Sequence, residues 1–312
     1  MKKVISIVVP VYKCHESIAL LTEKLTEVLK SIEVSYEIIY VYDGGEQQDW
    51  FEIKRMVEIY PNIVGIELSR NFGQHKAITA GLFYSKGEWV VVMDCDLQDN
   101  PQDIKRLYEK AIAEKVDIVF ASRKFRNDTF FKRMFSKWFY KVLEYLSETK
   151  QDHTIGNFGI YSRRVIQEVL NMKDNIRILP LMVRWVGFKS LSIDVVHDLR
   201  TCGKTSYSLR KLIHLAMDII LSFSDKLLRI VVKTGLLISF ASIIFTIFTL
   251  IRYFKGEIMQ VGYASIIISI WFFCGLIIAI LGMVGLYVGK TFEQSKNRPI
   301  FVVRSIIRND EK

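Results

Sequence analysis

Up to about residue 94, short runs of β-branched and aliphatic residues alternate with longer stretches whose apolar positions recur at spacings of three and four. The runs at 5–11, 37–42, 63–68 and 89–93 read as strands, and the stretches at 17–32, 50–60 and 76–85 read as helices between them. Strand and helix in alternation build an α/β domain around a mostly parallel sheet, and such sheets take their ligands at the carboxyl ends of the strands. From 117 to 199 the pattern loosens. One more strand is predicted at 117–121, and in 130–146 the bases Lys132, Arg133, Lys137 and Lys141 interleave with Phe131, Phe135, Trp138 and Phe139. A basic, aromatic helix of that kind suits a membrane interface, and equally a surface helix laying its aromatic face on a core.

The last third changes character. Residues 234–251 and 261–288 carry no charge, and each is long enough to span a bilayer, which takes roughly 20 apolar residues. The second exceeds that need and would tilt or overhang. Buried core helices seldom run so far without a polar stripe. The connector 252–260 is short, so the two spans predict a hairpin with both ends on one side. Lys226, Arg229 and Lys233 precede it and Lys290, Lys296, Arg298, Arg304 and Arg308 follow it, against Arg252 and Lys255 in the connector. The positive-inside rule then puts the main domain and both termini on the cytoplasmic side of the cell's inner membrane. The predicted order is a catalytic domain over 1–207, an amphipathic segment along the membrane surface over 208–233, the hairpin over 234–288 and a cytoplasmic tail over 289–312.

Half of the 312 residues are hydrophobic and the formal charge is +10; the mean hydropathy is +0.21. The charge suits anionic lipid or phosphorylated ligands. Nucleic acid is not expected, because there is no zinc-finger spacing or arginine-rich reading helix and the basic residues gather near the apolar segments. Cys14, Cys95, Cys202 and Cys274 are scattered without CxxC spacing, which suggests neither a zinc site nor a disulfide framework. The start, MKKVISIVVPVY, breaks its apolar run at Pro10 without a small-residue cleavage site, and reads as the first strand.

The strongest chemical signal is VVVMDCDLQDNP at 90–101. A hydrophobic strand ends in Asp94-Cys95-Asp96, which offers alternate carboxylates at the sheet's rim, where a hard divalent cation and a diphosphate can meet. Acidic residues are also common in the turns that follow strands. Asp43-Gly44-Gly45 has the composition of a tight turn, and Asn71-Phe72-Gly73 that of a loop entering a helix.

VVPVY at 8–12, YDGG at 42–45, SRNFGQHKA at 69–77 and DCDLQDNP at 94–101 together resemble the family 2 glycosyltransferases, and among them the polyprenyl-phosphate branch that includes dolichol-phosphate mannose synthase. The resemblance covers nearly the whole chain, since that branch often adds two C-terminal transmembrane helices. It implies a GT-A-type, Rossmann-like fold and a metal-dependent, inverting hexosyltransferase that uses Mg²⁺ or Mn²⁺. Residue by residue, it implies that Pro10 and Tyr12 hold the nucleobase end of the donor and Asp43 reads the base. Arg70 and Asn71 would contact the nucleotide, and Asp94 and Asp96 the metal, with Asp96 the primary ligand. The usual DDGS appears as YDGG; the base-reading carboxylate survives, so a UDP-sugar remains the expected donor. Arg200, Lys204 and Ser206 match an RxxGxSxY segment that closes over the donor diphosphate, where a solvated basic loop is the other reading.

The branch usually places an aspartate where this chain has Asn157, in Gly156-Asn157-Phe158-Gly159. Asparagine cannot take a proton but can orient a substrate by hydrogen bonds. A phosphate acceptor needs little help, because its second pKa is about 6; a hydroxyl acceptor needs a base, for which Asp152 and His153 are the spare candidates or are plain loop residues. The expected partners are therefore a nucleotide-sugar, a polyprenyl phosphate or lipid-linked saccharide, and membrane lipid. A homo-oligomer is left open. The competing readings are transfer to a hydroxyl of a lipid-linked saccharide and a non-catalytic, nucleotide-sugar-binding membrane scaffold.

Overall fold

The computed structural model describes residues 4–122, 141, 144–146, 154–196, 220, 224, 226–255 and 262–309. Strands β1 (Ile5–Val11) and β2 (Tyr36–Tyr42) are buried at every position. A strand with no polar face has to be covered on both sides, and this is the physical mark of a central position in a parallel sheet. The sheet has eight strands in the order β7-β5-β6-β4-β1-β2-β3-β8, with β3 at Ile63–Leu68, β4 at Trp89–Val92, β5 at Ile118–Ser122, β6 at Ile155–Ser162, β7 at Ser190–Asp194 and β8 at Val303–Arg308. β1 pairs in parallel with β2 and β4, β2 with β3, and β5 with β7, whereas β6 and β8 run antiparallel to their neighbours.

Alternation along the strands divides the core. Ile5, Ile7, Val9 and Val11 face α1 (His15–Ser31), α2 (Gln47–Ile59) and α4 (Asp103–Ala113), whose Leu21, Leu25, Ile53 and Leu107 are fully buried against them. Val8, Val90 and Val92 face the opposite layer, built by α3 (Gln74–Tyr84), α5 (Arg163–Asn171) and α6 (Leu179–Val186). Helices on both faces are what the alternating sequence predicted.

Three strands lie outside that prediction. β6 enters antiparallel between β4 and β5; its two glycines weaken any strand signal. β7 has no fully buried residue and caps one edge. Within 289–312, predicted as a cytoplasmic tail with no strand, residues 303–308 form β8, which pairs with β3 at the other edge. An edge strand needs only one ladder and tolerates Arg304 and Arg308, so it lacks the hydrophobic run by which a strand is recognised.

A second unit comprises residues 141–150 and 208–298. It contains α7 (Lys226–Phe254) and α8 (Tyr263–Ser295), and within it Tyr287 Oη donates to the Ser224 carbonyl at 3.2 Å. Leu237, Phe240, Ile244, Ile277, Ile278 and Leu281 are exposed on these helices. Among the described residues one segment, Phe272–Ser295, is long and apolar enough to cross a membrane. The stretch 234–251, predicted as the first span, is helical as part of α7.

Candidate active site

The chain goes from β1 to β2 on one side and later returns to β4 on the other, so the sheet's switch point lies between β1 and β4. Ligands of open α/β sheets collect at the carboxyl ends flanking such a point. The β1–β4 ladder stops at Val8↔Val92, after which the Met93 N–H still donates to the Val8 carbonyl at 3.1 Å. Pro10, which has no N–H, comes just beyond, where none is needed toward β4. From this fork emerge Tyr12 on one side and Asp94 to Asp96 on the other.

Asp94 and Asp96 are half-buried while Cys95 between them is buried in the core. Gln74 Nε2, on the first turn of α3, donates to Asp94 Oδ1 at 2.7 Å, and the Gln98 N–H donates to Asp96 Oδ1 at 3.2 Å. Ser17 Oγ lies 2.7 Å from the Cys95 carbonyl and 2.8 Å from the Cys14 carbonyl and shares its one proton between them, which pins the acidic turn to α1. A hydrogen bond with Cys14, together with burial, holds the Cys95 thiol well above its ordinary pKa, so it is a neutral packing group. Leu97, which follows Asp96, takes the left-handed conformation at φ +60, uncommon for a residue with a Cβ.

Asp43 was expected to read the nucleobase. It is 2% exposed, and its two oxygens accept the backbone N–H groups of Phe72 (2.7 Å) and Gly73 (2.8 Å). Burial raises its pKa, and those two N–H groups oppose the rise. The observed job of this carboxylate is to clamp the loop after β3 to the end of β2. Gly44 makes the clamp possible: φ is +62, and a Cβ there would lie 2.6 Å from Asn71 N and 2.9 Å from the Arg70 carbonyl carbon. Arg70 and Asn71 are exposed on this loop, with the Arg70 guanidinium 4.3 Å from the Phe72 ring centre. Tyr42, the departure from DDGS, stacks on Trp50 at 5.8 Å and donates its hydroxyl to the Gly45 carbonyl at 2.9 Å.

Asp49, on the first turn of α2, was missed in the sequence. Fully buried, it accepts the N–H groups of Lys13 (2.7 Å) and Cys14 (3.0 Å). It thereby fixes the turn that presents Tyr12, 51% exposed, and satisfies N–H groups where α1 begins. An acidic residue in a helix's first turn is expected for local reasons, so nothing in the sequence marked this one. His75, beside Gln74, has a buried Nδ1 without a hydrogen-bond partner, and burial lowers its pKa to about 4.

Asn157 lies on β6. The β4–β6 pairs run from Trp89↔Ser162 to Val92↔Gly159, and the same register continued by two residues sets Asn157 opposite Asp94. Asp152 and His153, and Arg200, Lys204 and Ser206, lie outside the described residues. Among the described residues no group of three or more His, Cys, Asp or Glu could enclose a metal. Two carboxylates at a rim fit Mg²⁺ or Mn²⁺, hard cations that complete their shells with water and substrate phosphate; they do not fit a closed structural site.

The sequence profile of the family described as glycosyl transferase family 2 matches residues 6–170, which include the fork, both clamps and the acidic turn. The chain belongs to this family. Its α/β domain with a mostly parallel sheet has the GT-A-type architecture. The uncharacterized glycosyltransferase YkcC of Bacillus subtilis (strain 168) is 34% identical over 96% of this chain and 93% of its own. The prophage bactoprenol glucosyl transferase homolog of Escherichia coli (strain K12) is 32% identical over 97% of this chain and 99% of its own. The undecaprenyl-phosphate 4-deoxy-4-formamido-L-arabinose transferase of Proteus mirabilis (strain HI4320) is 28% identical over 97% of this chain and 94% of its own.

Proposed function

We propose that this family 2 glycosyltransferase moves a sugar, with inversion, from a nucleotide-sugar, expected to be a UDP-sugar, to a membrane polyprenyl phosphate. The observation that carries the reading is the pair Asp94 and Asp96 just beyond the carboxyl end of β4, beside the switch point between β1 and β4. The acceptor class is supported by the similarity to the bactoprenol and undecaprenyl-phosphate transferases, which extends over 97% of this chain and so takes in its apolar C-terminal part.

Asp94 and Asp96 would hold Mg²⁺ or Mn²⁺, which when bound offsets the charge of the donor diphosphate. Gln74 fixes the orientation of the Asp94 carboxylate. Tyr12, Arg70 and Asn71 are exposed on the two clamped loops and would hold the nucleoside. Asp43 acts by holding the second of those loops. Arg200, Lys204 and Ser206 would close over the diphosphate. An acceptor phosphate oxygen forms the new bond to the anomeric carbon as the bond to the nucleoside diphosphate breaks. That oxygen is already largely ionised at neutral pH, so Asn157 need only orient the reactants. The exposed apolar faces of α7 and α8 support a membrane hairpin, with the catalytic domain on the cytoplasmic side by the positive-inside rule.

The test incubates the full chain with a panel of UDP-sugars, Mn²⁺ or Mg²⁺, and either undecaprenyl phosphate or a lipid-linked saccharide, and identifies the product by mass. A glycosyl phospholipid that disappears with EDTA and with Asp96→Asn is the expected result. Transfer only to the saccharide hydroxyl, or turnover unchanged in Asp96→Asn, refutes the reading.

A further inference from the structure

β8 contributes no residue to the acidic turn or the two clamps, yet it touches the donor-side loop directly. The chain leaves α8 at Ser295 and enters β8 at Val303. On the way the Val302 carbonyl accepts the Ser69 N–H at 2.9 Å, and Phe301 packs edge-on against Phe83 of α3 at 6.1 Å between ring centres. The β3–β8 register then slips: Glu67 pairs with Ser305 and Leu68 with Val303, which leaves Arg304 as the extra residue of a bulge. Bulges re-aim side chains, often beside active sites. Here the Arg304 guanidinium donates to Glu67 Oε1 at 3.1 Å and to the Ser69 carbonyl at 3.0 Å, while Ser305 Oγ donates to Glu67 Oε2 at 2.8 Å.

Ser69 is the first residue of the loop that carries Arg70 and Asn71, hands two N–H groups to Asp43, and ends at Gln74 on Asp94. Phe72 in this loop and Phe301 and Val303 of the tail pack against one apolar cluster, which includes Leu68, Ala77 and Ala80. We infer that β8 is a positioning element of the donor site: the bulged Arg304 fixes the near end of the 69–73 loop, and Asp43 fixes its far end. The inference rests on the donor site proposed above. It makes the segment that follows the apolar helix part of the catalytic domain's working structure. The Arg304 side chain is 62% exposed, and an ion pair with one partner so open to water adds little to stability, so the effect of losing it is expected on the loop more than on the fold.

The test is Arg304→Ala in the full chain, read by hydrogen exchange and by donor kinetics. Exchange at residues 69–73 should quicken by about tenfold or more. The donor KM should rise by about tenfold with kcat within about twofold, and Arg304→Lys should recover most of the change. If Arg304→Ala does not accumulate, Glu67→Gln loosens the same guanidinium without touching Ser69 and should shift both readouts in the same direction, by less. Wild-type exchange at 69–73 and a wild-type donor KM in either variant would overturn the inference, as would a loss confined to kcat. Exchange needs no substrate, so a wild-type chain that transfers no sugar refutes the proposed reaction while leaving the role of β8 to be decided separately.

Discussion

Replacing Gly44 by alanine tests the double clamp at its tightest point. The new Cβ would sit 2.6 Å from Asn71 N and 2.9 Å from the Arg70 carbonyl carbon, both backbone atoms that cannot swing aside as a side chain does. Alanine at φ +62 costs about 1–2 kcal/mol, and forcing an extra methyl into a filled space adds about 1–3 kcal/mol. The 70–73 loop can relieve the overlap only by moving off Asp43. A displacement costing about 1.4 kcal/mol or more raises the donor KM tenfold. Gly73→Ala is the control: its φ is +93 but no atom lies within 4 Å of the added Cβ, so it carries backbone strain without collision. Steady-state donor kinetics and thermal unfolding of the full chain would measure both variants. Gly44→Ala with wild-type donor KM and midpoint, or with no greater effect than Gly73→Ala, refutes the reasoning.

Asp49→Ala leaves the Lys13 and Cys14 N–H groups without their carboxylate and should destabilise the domain by about 3 kcal/mol, seen as a lower unfolding midpoint; Asp49→Asn, which keeps one acceptor, should lose less. His75 takes its proton near pH 4 in the folded chain and near 6.5 when unfolded. The unfolded state therefore binds more protons between those values, and stability is lost as pH falls through that window, by up to about 3 kcal/mol. Unfolding midpoints from pH 7 to 4 should show this limb and show it flattened in His75→Phe; identical profiles would exclude His75 as its source.

The central strands and the acidic turn were legible for one reason. Runs such as ISIVVPV and WVVV are buried on both faces, so their composition records their place in the sheet without reference to a partner. Asp94 and Asp96 follow such a run directly, and local sequence was enough to find them. Asp43 was found, but its hold on the Phe72 and Gly73 N–H groups was not, because sequence shows a carboxylate and not the backbone groups that it meets. Asp49 was not found, since its partners at Lys13 and Cys14 lie 36 and 35 residues away.

Edge strands β7 and β8 and the inserted β6 were missed because their pairing is decided by long-range closure and not by a hydrophobic run of their own. By itself the sequence determined the βαβ alternation, the motif order, the carboxylate pair and the apolar character of the C-terminal helices, all of which follow from local periodicity and residue chemistry. Only the tertiary structure decided that the chain's end returns to β3, that β6 enters antiparallel beside β4, and that the 69–73 loop is held from two sides. Each of these depends on backbone hydrogen bonds and close packing between residues far apart in the chain, and side-chain identity does not encode such partners one at a time.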